Sequence, residues 1–531
     1  MVSTTRSNDH QARPPASLAS AGATSPSPSP SPSPPSKRLS SKRIVRIVFF
    51  ALVCDLLAFT MPLPLFPRLI DNFVLEESKF AAFSPTLLSR TLHFVRTLRA
   101  KLFSYSSLAP LTPQSTARWD LTLLGGLLSS LFSLCQFVIS PHLGALSDRY
   151  GRRPVLLASM LGNLISALLW LFANHFGLYA LSRLVGGLSE GNVQLSIAAI
   201  TDVTSPEERS RSLALVGVAF SLAFTLGPSL GAYFASRVVG RGQRITVAGH
   251  QLVLNSYAVP ALVTFVLLSI ETLYLALRLP ETRWWKEDQA EEDKASATSA
   301  PKKNGADEKA AAAALKRTPA ERQARLKELQ WLHFGFLFFF SGAEFTLTFL
   351  TYTLFDYTNA QNGRLLGYIG MLASLLQGGY VRRMKSSTSG PPRLVRTGIW
   401  TCFISLVLLA ILPHVGPMSP TSRFSNANIF LYSAATGFAY VSSTVVTSLT
   451  AIVSFETDSD VENVKNGKKS HGEALGKFRS SGQLGRALGP LISTMVYFVW
   501  GPTWAYALGS IGMAVVASKW SRGMGKKIKV E

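Results

Sequence analysis

The chain has 531 residues, of which 47% are hydrophobic and only 16% charged, and it carries 53 Lys and Arg against 30 Asp and Glu for a net charge of +23. That balance is too apolar for a pair of ordinary soluble domains and reads as a membrane protein. The basic residues lie in short segments beside apolar runs and not in one folded domain, so lipid headgroups and topology account for them, and a nucleic-acid partner is excluded.

The first 43 residues are rich in Ser, Pro and basic residues and hold no apolar core, with the tract SPSPSPSPSPP from Ser25 to Pro35. This composition excludes a cleavable signal peptide and predicts a disordered, basic cytoplasmic tail. From residue 44 onward, apolar runs of about 18 to 25 residues, the length a helix needs to cross hydrocarbon, recur. Twelve are predicted: 44–65, 121–140, 155–173, 176–200, 213–236, 252–277, 331–353, 365–381, 395–412, 429–455, 475–498 and 503–517. None alternates like a membrane strand, and backbone groups in lipid must pair internally, so the spans are helices. The expected fold is an all-α membrane protein.

Two segments interrupt the short connections. The loop 67–120 contains LLSRTLHFVRTLRAKLF, where Leu87, Leu88, Leu92, Val95, Leu98 and Leu102 recur at helical spacing against a basic face. It predicts an amphipathic helix, either lying on the membrane or merely connecting. Residues 281–330 are dense in Lys, Glu, Asp and Ala and fall midway through the spans, which makes them a cytoplasmic linker. Within it, Thr318-Pro319-Ala320-Glu321 has the form of a capping box with proline at the first helical position, so a helix is predicted to start there. The domains expected are 1–43, a bundle at 44–280, the linker 281–330, a second bundle at 331–520 and a basic tail at 521–531.

Basic residues mark the connections after span two (Arg149, Arg152, Arg153), four (Arg209, Arg211), eight (Arg382, Arg383, Lys385, Arg393) and ten (Lys465, Lys468, Lys469). Those after spans three, seven, nine and eleven have almost none, Arg423 being the main exception. The positive-inside rule then places both termini in the cytoplasm, against which Arg237, Arg241 and Arg244 after span five stand as a blemish. Cys54, Cys135 and Cys402 each fall within a span, which argues against a disulfide framework. No Walker loop, His-Glu-x-x-His or nucleophile elbow is present, so the expectation is no enzyme, no metal, no cofactor, and energy drawn from a proton gradient.

The densest motif is GALSDRYGRRP, a short turn between spans two and three. Gly144 and Gly151 allow close approach or a sharp turn, and Asp148 can accept from helix N-terminal amides or pair with an arginine. Arg149, Arg152 and Arg153 are expected to anchor the turn in the headgroups and to latch a neighbouring helix. Gly144-x-x-x-Asp148-Arg149-x-Gly151-Arg152-Arg153 resembles the signature between the second and third helices of the major facilitator superfamily. Arg183-x-x-x-Gly187-x-x-x-Gly191 is similar to the motif that carries a buried arginine in proton-coupled members. Gly227-Pro228-x-x-Gly231 resembles the antiporter motif, with Ala223 and Ala232 where that pattern has Gly, and Gly489-Pro490 echoes it in span eleven. The stretches CDLLAFTMPLPLFP, SGAEFTLTFLTY and LLQGGYVRRM resemble the tetracycline-transporter-like, drug:proton antiporter branch. The resemblance implies twelve helices in two six-helix pseudo-symmetric bundles around a central cavity.

Charges stranded in spans are functional candidates, because each costs several kcal/mol unless it faces water or a partner. Asp55 lies in span one, Arg183 and Glu190 on nearly one face of span four, Glu271 in span six, Glu344 in span seven and Arg486 in span eleven. Asp55, Arg183, Glu190 and Glu344 are the candidates for protons or substrate. Asn192, Gln194 and Gln377 either line the cavity or act as hydrogen-bonding glue between helices, and His333 is expected to be wet and uninvolved. The function expected is secondary transport of a small organic or drug-like solute by proton antiport, by a monomer whose partners are solute, protons and lipid. Uniport, proton symport or a non-transporting scaffold stay open as alternatives.

Overall fold

The computed structural model describes residues 40–62, 65, 69, 72–74, 86–103, 113–235, 244–247, 250–253, 257–285, 319–357, 359–383, 390–415, 426–458 and 471–523. The expectations for the tail 1–39, most of 63–85, the segment 104–112, the linker core 286–318, the tail 524–531, and Arg237, Arg241, Lys385, Arg423, Lys465, Lys468 and Lys469 lie outside them.

Each predicted span is carried by helix over most of its described residues, but span six starts later than predicted: Leu252 and Val253 belong to a β-strand and the helix begins at Ala258. The N-terminal half runs α1 (Ser41–Thr60), α2 (Leu87–Phe103), α3 (Pro113–Tyr150), α4 (Arg152–Leu171), α5 (Phe176–Ser189), α6 (Asn192–Val203), α7 (Pro206–Ala235) and α8 (Ala258–Arg278). The C-terminal half runs α9 (Pro319–Phe355), α10 (Asn359–Leu375), α11 (Gly390–Ile411), α12 (Asn426–Asp458), α13 (His471–Trp500) and α14 (Pro502–Gly523). Among the described residues, 7 helices are long and apolar enough to cross a membrane by length and composition. Span one closes earlier than predicted: α1 ends at Thr60 because Pro62 and Pro64 follow, and the residue before a proline disfavours helix.

The apolar side chains are turned outward. On α8, Leu262, Val266, Ile270, Leu273 and Leu277 are exposed, the last at 72%, whereas Ala261, Thr264, Leu268, Glu271 and Leu275 are buried. The two sets are the opposite faces of one helix at 3.6-residue period. Only a hydrocarbon solvent makes leucine outward and glutamate inward the favourable choice.

Three local features differ from the plain reading of spans and loops. Span four is interrupted: α5 stops at Ser189, Glu190 and Gly191 are non-helical connectors, and α6 restarts at Asn192. The connection after span five contains an antiparallel hairpin, Arg244–Val247 against His250–Val253, with Arg244 opposite Val253. The helix of span eight widens into a π-helix over Leu376–Val381, where Gly378 and Gly379 ease the departure from the α geometry.

α9 is helical from Pro319 and absorbs the end of the linker, while Thr318, the expected cap, lies outside the described residues. The amphipathic segment is α2, and its Leu88 and Leu92 pack with Trp170, Phe176 and Tyr179 on the end of the bundle remote from residues 144–153. Leu87 is 54% exposed, outside the apolar face to which its spacing assigned it. Asp120 at the start of span two receives Arg96 Nε at 3.3 Å and Arg99 Nη1 at 2.5 Å, fixing the basic face.

The C-terminal half is cored by Phe336, Phe340, Val395, Leu406 and Phe438. Across the halves, α3 packs on α13 and α7 on α10. Ser130 Oγ donates to the Ala487 carbonyl at 2.7 Å and Ser480 Oγ to the Phe137 carbonyl at 2.6 Å. Within the C-terminal half, Gly482, Gly485 and Gly489 line the face of α13 that meets α9, and a Cβ at Gly485 would stand 2.6 Å from the Phe334 carbonyl oxygen.

Gly485→Ala therefore has to push two backbones apart, which costs about 1–3 kcal/mol. Thermal unfolding of the purified protein is expected to shift several degrees down for Gly485→Ala. Gly363→Ala, where nothing lies within 4 Å, is expected to leave it level or slightly raised.

Candidate functional site

The site has two parts, a polar latch at one end of the bundle and a cluster of buried charges in its interior. The latch begins with Gly151, whose φ of +101° only glycine adopts easily and which turns α3 sharply into α4. Glu281 caps the new helix: Oε1 accepts from the Arg152 amide at 2.8 Å and Oε2 from the Arg153 amide at 3.1 Å. Asp148 faces the other half. Its Oδ1 and Oδ2 accept from the backbone amides of Gly472 (3.0 Å) and Glu473 (2.8 Å), the exposed donors of the first turn of α13.

A Cβ on Gly144 would lie 2.8 Å from the Gly472 carbonyl carbon, so this glycine is what lets α13 reach Asp148. Arg152 ties the knot. It is 3% exposed, pairs through Nη1 with Asp148 at 2.6 Å and through Nε with Asp202 at 2.9 Å, and also donates to Ser147 Oγ. Arg153 is turned inward too, donating to the Ala276 carbonyl at 2.6 Å. Of the three arginines expected to anchor the turn outward, Arg149 alone is exposed, its guanidinium 5.3 Å from the Tyr150 ring. Arg209, read as a topology charge, is fully buried and donates across the halves to the Ser454 carbonyl at 3.2 Å.

In the interior, the break in span four sets Glu190 and Asn192 on either side of Gly191. Ser159 of α4 repairs it: its Oγ accepts from the Gly191 amide at 3.0 Å and donates to the Ser189 carbonyl, so the freed backbone groups are satisfied. Glu190 accepts from Asn163 Nδ2 at 3.2 Å, and Asn192 Nδ2 donates to Asp55 Oδ1 at 2.8 Å. Asp55 is 3% exposed and its Oδ2 has no hydrogen-bond partner.

Asp55, Arg183 and Glu190 share a small cleft within the N-terminal half with Phe59, Phe132, Asn163, Trp170 and Thr264. Arg183 does not ion-pair with Glu190 there, although the uninterrupted helix read from the sequence made that pair an option. Its guanidinium sits over the rings of Tyr179 (5.5 Å) and Trp170 (6.0 Å) instead.

The remaining candidates are elsewhere. Glu344 is exposed in α9, outside the cleft, with Arg486 acting on it electrostatically. Asn192, Gln194 and Gln377 do not line the cleft. Asn192 holds Asp55, Gln194 Nε2 donates to the Ser140 carbonyl at 2.8 Å, and Gln377 Nε2 donates to Thr447 Oγ1 at 2.8 Å with its amide against Gly217. Gly227 and Gly231 bring α7 against the end of α1, at Thr60 and the Met61 backbone, while α7 continues through Pro228; Gly489 and Pro490 lie likewise within α13, Gly489 against Phe338.

His333 is not wet. It is 4% exposed, stacked on Phe478 at 4.1 Å, and its Nδ1 lies 2.9 Å from the Phe478 carbonyl, in room left by the missing side chain of Gly482. Sequence reasoning missed Arg479, which acts on Asp55 and Glu190 from α13. Its signal was present: Arg479 and Arg486 are two turns apart and so share a helix face. Glu281 and Asp202 were missed as partners of the turn, and no local pattern joins residues so distant in the chain.

The family model described as Major Facilitator Superfamily matches residues 48–457. The chain is similar to Major facilitator superfamily domain-containing protein 10 of Mus musculus, 31% identical over 471 residues that cover 87% of this chain and 89% of that protein. It is similar over a shorter stretch to the class B tetracycline resistance protein of Escherichia coli, 35% identical over 108 residues, 20% of this chain and 27% of that one. The crystal structure of the human organic anion transporter MFSD10 (TETRAN) superposes with a TM-score of 0.69 at 27% identity, covering 91% of this chain and 100% of that one. With its outward apolar faces and inward charges, the chain belongs to the Major Facilitator Superfamily and is a multi-pass membrane transporter, not an enzyme.

Proposed function

We propose that this transporter moves a small organic, drug-like solute by alternating access in exchange for protons held at Asp55 and Glu190. Residues 44–280 and 331–520 would rock as two units, in a monomer with both termini in the cytoplasm. The observation that carries the reading is the shared cleft. Two carboxyls, an arginine and an unpartnered carboxylate oxygen border one void among lipid-length helices. An ionised group in such a place is tolerated only when water, a proton or a ligand reaches it. Tetracycline-resistance relatives agree with a drug-like solute.

Arg479 favours a second reading of the cargo. This cation acts on Asp55 and Glu190 from the opposite half, and Arg486 stands two turns further along. An organic anion, the cargo named for the human MFSD10 structure, would draw Arg479 away from the acids. A proton then takes the place of that cation in balancing the buried acids, so an anion of this kind would travel with protons and not against them. The sign of the coupling thus reports the charge of the cargo.

In proteoliposomes, uptake of radiolabelled tetracycline and of p-aminohippurate is measured with the pH gradient imposed in each direction. Antiport is expected to drive tetracycline against the proton gradient, and symport to drive the anion along it. Asp55→Asn is expected to remove the gradient response for either probe. A gradient response unchanged in Asp55→Asn rules out Asp55 as the coupling group.

The latch gives a separate expectation. Asp148→Asn weakens charge-assisted bonds to α13 and Arg152, each worth about 1.5–3 kcal/mol. In a chain with its three native cysteines replaced, thiol labelling of Ser140→Cys, on the sealed α3–α13 seam, is expected to rise roughly tenfold in the Asp148→Asn background.

A further inference from the structure

We propose that Glu271 on α8 is a proton-carrying residue that exchanges its proton with Asp55, an inference that rests on the proton coupling proposed above. Glu271 is 2% exposed, and its Oε2 has no hydrogen-bond partner. It lies seven residues after Thr264 and three after Leu268, both of which line the cleft of Asp55 and Glu190. That spacing puts all three on one face of α8, with Glu271 at the margin of the cleft on the side of the latch.

Its charged surroundings are specific. α1 packs on α8, and the groups that act on Glu271 electrostatically are Asp55 and Cys54 from α1 and Glu190 from the break in span four, all of them acidic or neutral. Along α7, residues 212–235 bring no charged side chain. From α4 the nearest cation with a printed contact on α8 is Arg153, which is engaged with the Ala276 carbonyl, five residues beyond Glu271. A carboxylate buried without a cation costs several kcal/mol, and two neighbouring carboxylates cannot both be ionised cheaply. A plain structural role is a poor account of such a residue, since glutamine or leucine would fill the position without that cost.

The step itself is balanced. The O–H bond of the Asp55 carboxyl breaks as one forms on an ionised Glu271, directly or through one water, and the total charge of the pair is unchanged. The proton can then leave the cleft on the α8 side, inside the N-terminal half, while the solute uses the space between the halves. Separate routes for the two cargoes keep the proton from leaking along the solute path.

The test is the pH profile of gradient-driven tetracycline and p-aminohippurate uptake into proteoliposomes holding the full chain. Glu271→Gln is expected to slow uptake at least about tenfold and to flatten its pH dependence, as Asp55→Asn does, and Glu271→Asp is expected to bring the pH dependence back. A Glu271→Gln variant that keeps the wild-type pH profile, whatever its rate, beside an Asp55→Asn variant that loses it, overturns this proposal and leaves the coupling reading intact. A wild-type rate without pH dependence for either probe removes both. Should the Gln variant misfold, dicyclohexylcarbodiimide, which adds to protonated carboxyls in apolar surroundings, is applied to the wild-type protein. An adduct at Glu271 whose yield falls as pH rises is expected, and no adduct there at any pH overturns the proposal.

Discussion

The constraint on which the rest depends is that charge cannot stand unaccompanied in hydrocarbon. It decides which face of each helix turns inward: on α8 the leucines meet lipid and Glu271 meets the protein. It also decides how the interrupted span is built. Breaking a helix at mid-membrane exposes amides and carbonyls that no water satisfies, so the break at Glu190-Gly191 exists only because Ser159 supplies both a donor and an acceptor there. Once the break is secured, Glu190 and Asn192 project where a continuous helix would have directed them elsewhere. Asp55 gains its hydrogen bond from Asn192 as a result.

The same constraint, relaxed at the rim of the membrane, makes the latch. The first turn of α13 presents unbonded amides and the positive end of a helix dipole, and Asp148 answers both. Arg152 then neutralises Asp148 and Asp202 together, so the cluster as a whole carries a single net negative charge before Glu281 and the helix termini are counted. Such a cluster is strong while assembled and weak once α13 withdraws, because Asp148 loses two charge-assisted bonds at once. Gly144 sets how closely α3 and α13 approach at this point.

The sequence made the helices legible because a span is a local property. Twenty apolar residues announce themselves, and Pro319 with Glu321 marked a stretch that is helical in α9. The turn at 144–153 was equally readable, since glycine at a positive φ and arginine beside it carry a local meaning. What stayed hidden was pairing over distance. Nothing in the residues around Asp148 points to Gly472, 324 residues on. Nothing near Arg152 points to Asp202 or Glu281. The break in span four was hidden for another reason: it uses no proline, only Gly191 and a serine on the neighbouring helix, and a glycine in a membrane span is usually a packing device. His333 was misjudged because its partner, Phe478, lies 145 residues away and the room for its ring comes from the absent side chain of Gly482.

α6 joins the two parts of the site. Its first residue, Asn192, holds Asp55, its third, Gln194, bonds the Ser140 carbonyl on the α3–α13 seam, and near its last turn Asp202 holds Arg152. Ten residues of helix separate Asn192 from Asp202, about 15 Å of a rod that bends little over that length. Because the span is broken just before Asn192, the direction of this rod is not dictated by α5. It therefore joins, through three side chains, the surroundings of Asp55 to the Asp148–Arg152–Asp202 cluster. The interruption, costly in backbone hydrogen bonds and bridged by one serine, is what sets the first residue of α6 on the buried acid while its last turn reaches Arg152.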